Sequence, residues 1–278
     1  MRISHSVLLV FALLATPAEA VVRGKVTRDP NGTRGSVVQV ESSRGELCSG
    51  VVIGPDLVLT AAHCVLERAT YRVVAVDRRF RRHAIPATAA AMHPAFVAGT
   101  TPRTQPGVDL AILKLAQPLG RDFVPIDPRG AARIGKGQPV ALAGFGVAGE
   151  GQKGTARVLR ETRLVNLGTL QVANRVMVVA DQQRLAQVTG AGACRGDSGG
   201  PIFAGGPGGY QLVGIVSWSS GALLSRNGSA CGGLTAVTPV ADHSGWIAAR
   251  AADLRRMPAG QAIHHPTAPA NEYDWSAR

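Results

Sequence analysis

Aromatic residues are scarce in this chain of 278 residues, where Phe, Tyr and Trp together make up 4% of the sequence. A hydrophobic core must therefore be filled mainly by Val, Leu, Ile and Ala. The chain is long enough for one large or two small β-domains with substantial cores.

The sequence also lacks an apolar run long enough to cross a bilayer as a helix. The strongest candidate lies near the start, where Arg2 precedes a short apolar run over 7–14 and the triplet Ala18-Glu19-Ala20 follows. A basic residue, a short apolar run and an A-x-A site in this order predict a secretory signal peptide over residues 1–20. We therefore expect a soluble mature protein without a membrane span, secreted into a periplasm or outside the cell.

Cysteine is limited to four residues, and none of them forms a C-x-x-C pair. This spacing argues against a zinc site and is consistent with disulfides in an oxidising compartment. The sequence alone permits three pairings.

Acidic residues are outnumbered, 18 against 30 Lys and Arg, so the formal net charge is +12. The densest basic cluster lies at 77–83. It is either a solvated loop or a surface that makes weak, salt-sensitive contact with a polyanion. We expect no specific nucleic-acid partner.

Short apolar runs separated by Gly, Pro and Asp recur from residue 37 to residue 115 and again in the second half, which predicts many short strands joined by turns. The G-x-G-x-x-G pattern at 144–149 suggests a dinucleotide site when taken alone. No amphipathic helix follows it, so we reject that interpretation and expect no cofactor.

Three segments carry residues that together could perform nucleophilic catalysis. Glycines surround Ser198 in Gly-Asp-Ser-Gly-Gly-Pro, His63 lies in Thr-Ala-Ala-His-Cys, and Asp109 opens the otherwise apolar Asp-Leu-Ala-Ile-Leu-Lys-Leu. A serine needs a base to attack an amide, and a buried acid needs a partner. These residue types therefore point to a serine, histidine and aspartate acting together.

These motifs, in this order and with Ser217-Trp218 after them, resemble the trypsin/chymotrypsin family of serine endopeptidases over residues 21–247. The resemblance implies an all-β fold of two packed six-stranded antiparallel β-barrels with a C-terminal α-helix. The implied divisions are a first barrel over 21–128, a second barrel over 129–242, a helix over 243–256 and a flexible tail over 257–278.

The resemblance also implies roles for single residues. Ser198 is the nucleophile, His63 the general base and Asp109 the group that orients the histidine, while the backbone N–H groups of Gly196 and Ser198 bind the oxyanion. Ser217 supports the buried aspartate, and 217–219 form the wall on which a substrate strand lies.

Further implications concern the new amino terminus and the disulfides. Cleavage after Ala20 exposes Val21, whose α-ammonium is expected to pair with Asp197 without a separate zymogen cleavage. The implied disulfides are Cys48–Cys64 and Cys194–Cys231. Only Asp77 is available where some relatives bind calcium through paired acids, so we expect no metal.

The specificity pocket is expected to be small and uncharged. Gly192 occupies its base, and Ala193 follows. Ser219 and either Leu234 or Thr235 narrow the wall, and Trp218 lies beside them. We therefore expect cleavage of proteins or peptides after small or medium apolar residues, by a monomer. Arg195 lies either at the pocket rim, where it favours acidic substrate positions, or in solvent.

Two alternatives remain: a catalytically inactive binding or adhesion module with the same fold, and an esterase that uses the same three residues. Labelling of Ser198 by a serine-directed phosphonate tests the first. Rates on a peptide amide and on a simple ester address the second.

Overall fold

A computed structural model describes residues 21–29, 32–66, 69–206, 209–225 and 228–257, so the predicted signal peptide and most of the predicted tail lie outside the described residues. That part of the chain contains thirteen strands: β1 (Lys25–Val26), β2 (Val37–Ser42), β3 (Leu47–Gly54), β4 (Leu57–Thr60), β5 (Tyr71–Val76), β6 (Arg82–Met92), β7 (Ala111–Leu115), β8 (Pro139–Gly144), β9 (Arg160–Gln171), β10 (Arg175–Ala180), β11 (Pro201–Ala204), β12 (Gln211–Ser219) and β13 (Thr235–Pro239). It also contains four 3₁₀ helices, Thr33–Gly35, Ala62–Val65, Pro128–Gly130 and Lys153–Thr155, and one α-helix, α1 (Ser244–Arg256).

The first barrel closes in the strand order β2-β3-β4-β7-β6-β5. All its pairs are antiparallel, and closure comes from β2 against β5, where Val40 lies opposite Val73. Its interior is filled mainly by Val, Leu, Ile and Ala, with Phe96 among the few buried aromatic residues. The prediction of an aliphatic core is confirmed.

The second barrel closes because β8 pairs with both β9 and β11. The other neighbours in the ring are β9–β10, β10–β13, β13–β12 and β12–β11, all antiparallel. The predicted fold class, two six-stranded antiparallel barrels with a C-terminal helix, is confirmed. Among the described residues no helix combines the length and the apolar character needed to span a membrane.

The first residues of the described chain belong with the second barrel, whereas the sequence-based division assigned 21–128 to the first. In β1, Lys25 lies opposite Glu161 and Val26 opposite Arg160. Val22 forms a bridge with Gly192, and Val21 is fully buried in the second core. Burial of two consecutive valines there stabilises this placement of the N-terminal segment.

The two barrels meet where several strand ends converge. His63 lies in the 3₁₀ helix after β4, Asp109 shortly before β7, Ser198 shortly before β11, and Ser217 within β12. Residues far apart in the sequence are therefore carried to one junction by rigid strands.

Candidate active site

Fully buried Asp109 and partly exposed His63 form a hydrogen-bonded pair at the junction. His63 Nδ1 lies 2.8 Å from Asp109 Oδ2, and the His63 backbone N–H donates to Asp109 Oδ1 over 3.0 Å. Ser217 Oγ donates to Asp109 Oδ2 over 2.6 Å. Both oxygens of a fully buried carboxylate are thus satisfied, which fixes the orientation of the imidazole.

The pair shifts both pKa values in the directions that favour an ion pair. Burial opposes charge on His63, but the nearby Asp109 carboxylate outweighs it and raises the pKa of the imidazole. Burial also opposes charge on Asp109, but His63 and the Ser217 hydroxyl outweigh it and lower the pKa of the carboxyl. The arrangement therefore stabilises an imidazolium on His63, the species that a general base becomes.

The loop that carries Ser198 packs directly against the segment before His63. A Cβ atom on Gly199 would lie 2.1 Å from Thr60 Oγ1 and 2.3 Å from Ser49 O, and this residue has a φ of +78°. Only glycine fits such a position without displacing backbone. This close approach, together with the Ser49 N–H donating to Ser198 O over 2.8 Å, holds the two loops beside each other.

Ser198 and His63 do not form a hydrogen bond with each other in this structure. Ser198 Oγ makes no hydrogen bond to any described residue, and His63 Nε2 lies 3.7 Å from Cys64 Sγ. Nucleophile–base contacts are often long in proteins without substrate. The structure thus joins His63 to Asp109 and places Ser198 in the adjoining loop without a direct hydrogen bond.

Two backbone N–H groups near Ser198 have no acceptor in the described part of the chain. Gly196 has a φ of +96°, and neither its N–H nor that of Ser198 donates to a described residue. Such a pair of free donors beside a serine hydroxyl can bind a developing oxyanion.

Asp197 is fully buried, and both of its carboxylate oxygens accept backbone N–H groups. Its Oδ1 accepts the Gly146 N–H over 2.8 Å and its Oδ2 accepts the Cys194 N–H over 2.9 Å. Burial raises the pKa of this carboxyl to about 7 in spite of these bonds. Val21, the residue expected to provide a partner ammonium, is buried in the second barrel, with Val22 paired to Gly192.

The residues predicted to form the specificity pocket carry small, uncharged side chains. Gly192 and Ala193 are buried, and the Ala193 N–H donates to Thr235 Oγ1 over 3.1 Å. Of the two candidates for the pocket wall, Thr235 is the one whose side chain bonds to Ala193. Ser219 Oγ donates to Ala230 O over 2.5 Å, so its side chain faces the neighbouring loop.

The edge of β12 expected to receive a substrate strand is partly covered. Arg103 Nη2 donates to Ser219 O over 2.8 Å, and the Arg103 guanidinium lies 5.3 Å from the centre of the Trp218 ring. A backbone carbonyl at this edge is therefore already paired with a cation.

Arg195 is exposed and ion-paired with Glu150, with 2.9 Å between Arg195 Nε and Glu150 Oε1. Glu150 Oε2 accepts the Ala230 N–H over 2.9 Å as well. The charge of Arg195 is thus engaged within the protein rather than presented alone to a substrate.

Sequence reasoning missed three residues that shape this site: Ser49, Arg103 and Glu150. Ser49 Oγ donates to Gly196 O over 2.9 Å and accepts the Phe145 N–H over 3.0 Å, so it bridges the barrels. The only sequence feature that could have marked Ser49 is that it is a small residue directly after Cys48. No local signal marks Arg103 or Glu150, because Arg103 bonds to Ser219, 116 residues away in the sequence, and Glu150 bonds to Arg195, 45 residues away.

Both expected disulfides are present, Cys48–Cys64 and Cys194–Cys231. The first holds the His63 segment to β3, and the second joins the serine loop to the segment before β13. Among the described residues, the one cluster of potential metal ligands is Cys48, His63 and Cys64. Its sulfur atoms are bonded to each other and offer no thiolate ligand.

Two closed β-barrels with an aspartate, a histidine and a glycine-flanked serine at their junction define the chymotrypsin-fold class of proteins. Comparison with known proteins is consistent with this class. The family model described as Trypsin matches residues 22–247. The chain belongs to the trypsin family of serine proteases.

Vitamin K-dependent protein C of Oryctolagus cuniculus is 30% identical over 251 residues, which cover 82% of this chain and 51% of that protein. Trypsin iota of Drosophila melanogaster is 28% identical over 65% of this chain and 71% of that protein. The chain thus spans about half the length of the protein C relative.

Among solved structures, human heparin binding protein has a TM-score of 0.61 at 21% identity and covers 82% of this chain and 96% of its own. Neuropsin of mouse has a TM-score of 0.62 at 22% identity, and the match covers 83% of this chain and 100% of the neuropsin chain. At these identities the two structures establish the fold.

Proposed function

We propose that this protein is a secreted serine endopeptidase that hydrolyses peptide bonds through an acyl-enzyme. The observation that carries the proposal is the Asp109–His63 pair, held at 2.8 Å and supported by Ser217, beside a serine loop with two unpaired N–H groups. Family membership supports the reaction class.

In the proposed mechanism His63 removes the proton from Ser198 Oγ as that oxygen attacks the scissile carbonyl carbon. Asp109 keeps Nδ1 protonated and stabilises the imidazolium. The N–H groups of Gly196 and Ser198 bind the oxyanion of the tetrahedral intermediate, and each such donor contributes on the order of 10²–10³ in rate. His63 then protonates the leaving amine, and water releases the acyl group by the same steps.

A serine-directed phosphonate tests this assignment. We expect stoichiometric covalent labelling of the mature protein, together with hydrolysis of a peptide amide, and loss of both in Ser198→Ala. Ser36→Ala removes another hydroxyl remote from the site and should keep both activities. Absence of labelling in a folded protein would support the inactive binding module instead.

Activation is proposed to need only removal of residues 1–20. The buried position of Val21 and the raised pKa of Asp197 support this step, because an α-ammonium at Val21 would compensate a buried carboxylate that has no cation in hydrogen-bond contact among the described residues. N-terminal sequencing of secreted, active protein should begin at Val21. A different first residue would remove the basis for the proposal.

The proposed preference is for small or medium apolar residues before the scissile bond. The absence of a carboxylate at Gly192 and Ala193 supports it, since an arginine or lysine side chain would find no counter-charge there. A peptide panel varied at this position should give the highest kcat/KM after Ala, Val or Leu. Fastest cleavage after Arg would contradict the pocket assignment.

A binding module with the same fold is the second candidate, and the unformed Ser198–His63 hydrogen bond together with the net charge of +12 favours it. Contact with a polyanion through 77–83 would then be weak and salt-sensitive. The phosphonate experiment separates this candidate from the endopeptidase, and amide against ester rates separate the endopeptidase from an esterase.

A further inference from the structure

A cavity of about 500 Å³ lies between the N-terminal segment, the turn between β5 and β6, and the segment before β9. None of the residues proposed for catalysis lines it. Four arginines do, Arg28, Arg34, Arg82 and Arg157, and its other lining residues are apolar apart from Thr27. The lining, all of it within the described residues, contains no carboxylate. This volume is typical of sites for small molecules.

Arg34 is the most unusual of the four because only 7% of it is exposed. Its Nη2 donates to Asp77 O over 3.0 Å, and its guanidinium carbon lies 3.9 Å from the centre of the Phe80 ring. Its Nε has no hydrogen-bond partner. Burial lowers the pKa of this guanidinium although the Asp77 carboxylate acts in the opposite direction, so the protein compensates its charge only in part.

The nearby acids do not neutralise the cavity. Glu41 lies outside the lining and is shared, with Oε1 at 3.0 Å from Arg157 Nε and at 3.5 Å from Arg82 Nη2. Glu41 also pairs with Arg72, and Asp77 turns its carboxylate toward Arg81 and His83.

Arg28 adds a further positive charge to the cavity lining. It is exposed and makes no ion pair within the part of the chain that the structure describes. Guanidinium groups therefore outnumber the carboxylates that face them, while the exposed ring of Phe80 and the aliphatic lining residues supply apolar surface in the same cavity.

We propose that this cavity binds a small organic anion, with a carboxylate, sulfate or phosphate group against the four guanidinium groups and an apolar body against Phe80 and the aliphatic lining residues. Arginine presents a planar set of donors suited to such oxyanions. The anion would supply Arg34 with counter-charge beyond that of Asp77. The site is separate from the proposed peptidase groups, so binding does not depend on catalysis.

Calorimetric titration of the secreted protein with naphthalene-2-sulfonate at physiological ionic strength tests the proposal. We expect one saturable site, weaker binding of the neutral naphthalene-2-sulfonamide, and weaker binding of inorganic sulfate, which lacks the apolar body. Ser198→Ala should bind the sulfonate as the unmodified protein does. No saturable binding up to about 10 mM would overturn the proposal, because affinities below that level carry little specificity.

Variants assign the binding to this cavity. Arg34→Met keeps much of the side-chain volume and should weaken the sulfonate at least about tenfold. Arg28→Ala, at an exposed and unpaired position, should weaken it severalfold without affecting folding, and thus provides the test if Arg34→Met does not fold. Arg121→Ala, an exposed arginine outside the lining, is the matched control. Equal affinity in Arg28→Ala, Arg121→Ala and the unmodified protein, or equal affinity for sulfonate and sulfonamide, would contradict the proposal.

Discussion

At the scale of single residues, the protonation state of the Asp197 carboxyl depends on whether residues precede Val21. The carboxyl is fully buried, and its raised pKa of about 7 belongs to a chain in which Val21 has no free ammonium. Between about pH 4 and 7 the unfolded chain has lost this proton while the folded chain retains it. The contribution of Asp197 to folding stability therefore falls as the pH rises through this window.

We predict this loss in a form that keeps a short extension before Val21. The Asp197 contribution to its free energy of unfolding should fall by on the order of 1 kcal/mol per pH unit across this window. Urea unfolding at a series of pH values measures it. The form that begins at Val21 should lack this slope because the ammonium stabilises the carboxylate, and Asp197→Asn should abolish the slope in the extended form. Identical pH profiles for the two forms would exclude the ion pair.

Ser217 is a second residue with a separable role, since its hydroxyl donates to Asp109 Oδ2 over 2.6 Å inside the protein. We predict that Ser217→Ala lowers kcat by about tenfold to a hundredfold, because a buried hydrogen bond to a charged group contributes roughly 1.5–3 kcal/mol. KM should change little. Steady-state kinetics on one peptide amide measures both, with Ser36→Ala as a buried-serine control. An unchanged kcat would mean that the backbone N–H and the imidazole of His63 are sufficient to hold Asp109 in place.

At the scale of secondary-structure elements, β12 combines support for Asp109 with an edge that a substrate strand would use. Ser217 faces Asp109, whereas the Ser219 carbonyl two residues later accepts from Arg103. A substrate N–H that pairs with this carbonyl must compete with the guanidinium.

We therefore predict that Arg103→Ala lowers KM for an uncharged peptide by about threefold to tenfold while kcat changes little. The physical reason is that one competing hydrogen bond, worth about 1 kcal/mol, is removed. Arg121→Ala, an exposed arginine away from β12, should leave KM unchanged. A higher KM in Arg103→Ala would show instead that this side chain binds the substrate.

At the scale of the whole molecule, the barrels are joined at the serine loop by Ser49 of β3. Its hydroxyl contacts Gly196 O and Phe145 N, and its N–H donates to Ser198 O. One residue of the first barrel thus holds three backbone positions of the second.

We predict that Ser49→Ala lowers the free energy of unfolding by about 1–3 kcal/mol, because the buried Phe145 N–H loses its acceptor. It should also lower kcat more than Ser36→Ala does, since Gly196 provides a proposed oxyanion donor. Chemical denaturation and kinetics on the same preparations measure the two effects. If Ser49→Ala and Ser36→Ala lose the same stability, and kcat is unchanged in Ser49→Ala, then the role of Ser49 is purely structural.

The two-barrel class was implied by the family resemblance, whereas local chemistry in the sequence was sufficient to predict the aliphatic cores, the many short strands and the motifs around His63, Asp109 and Ser198. Each of these depends on neighbours within a few residues, such as alternating apolar positions or glycines beside a serine. The two disulfides also agreed with the expectation, although that expectation came from family resemblance and not from spacing.

Tertiary structure alone decided which barrel the N-terminal segment joins, which hydroxyl bridges the barrels and which cation covers β12. It also placed Arg28, Arg34, Arg82 and Arg157 around one cavity and left Ser198 Oγ unbonded to His63. The reason is physical: these contacts join residues far apart in the chain, and their formation depends on how two closed barrels pack, which no local pattern of residues encodes.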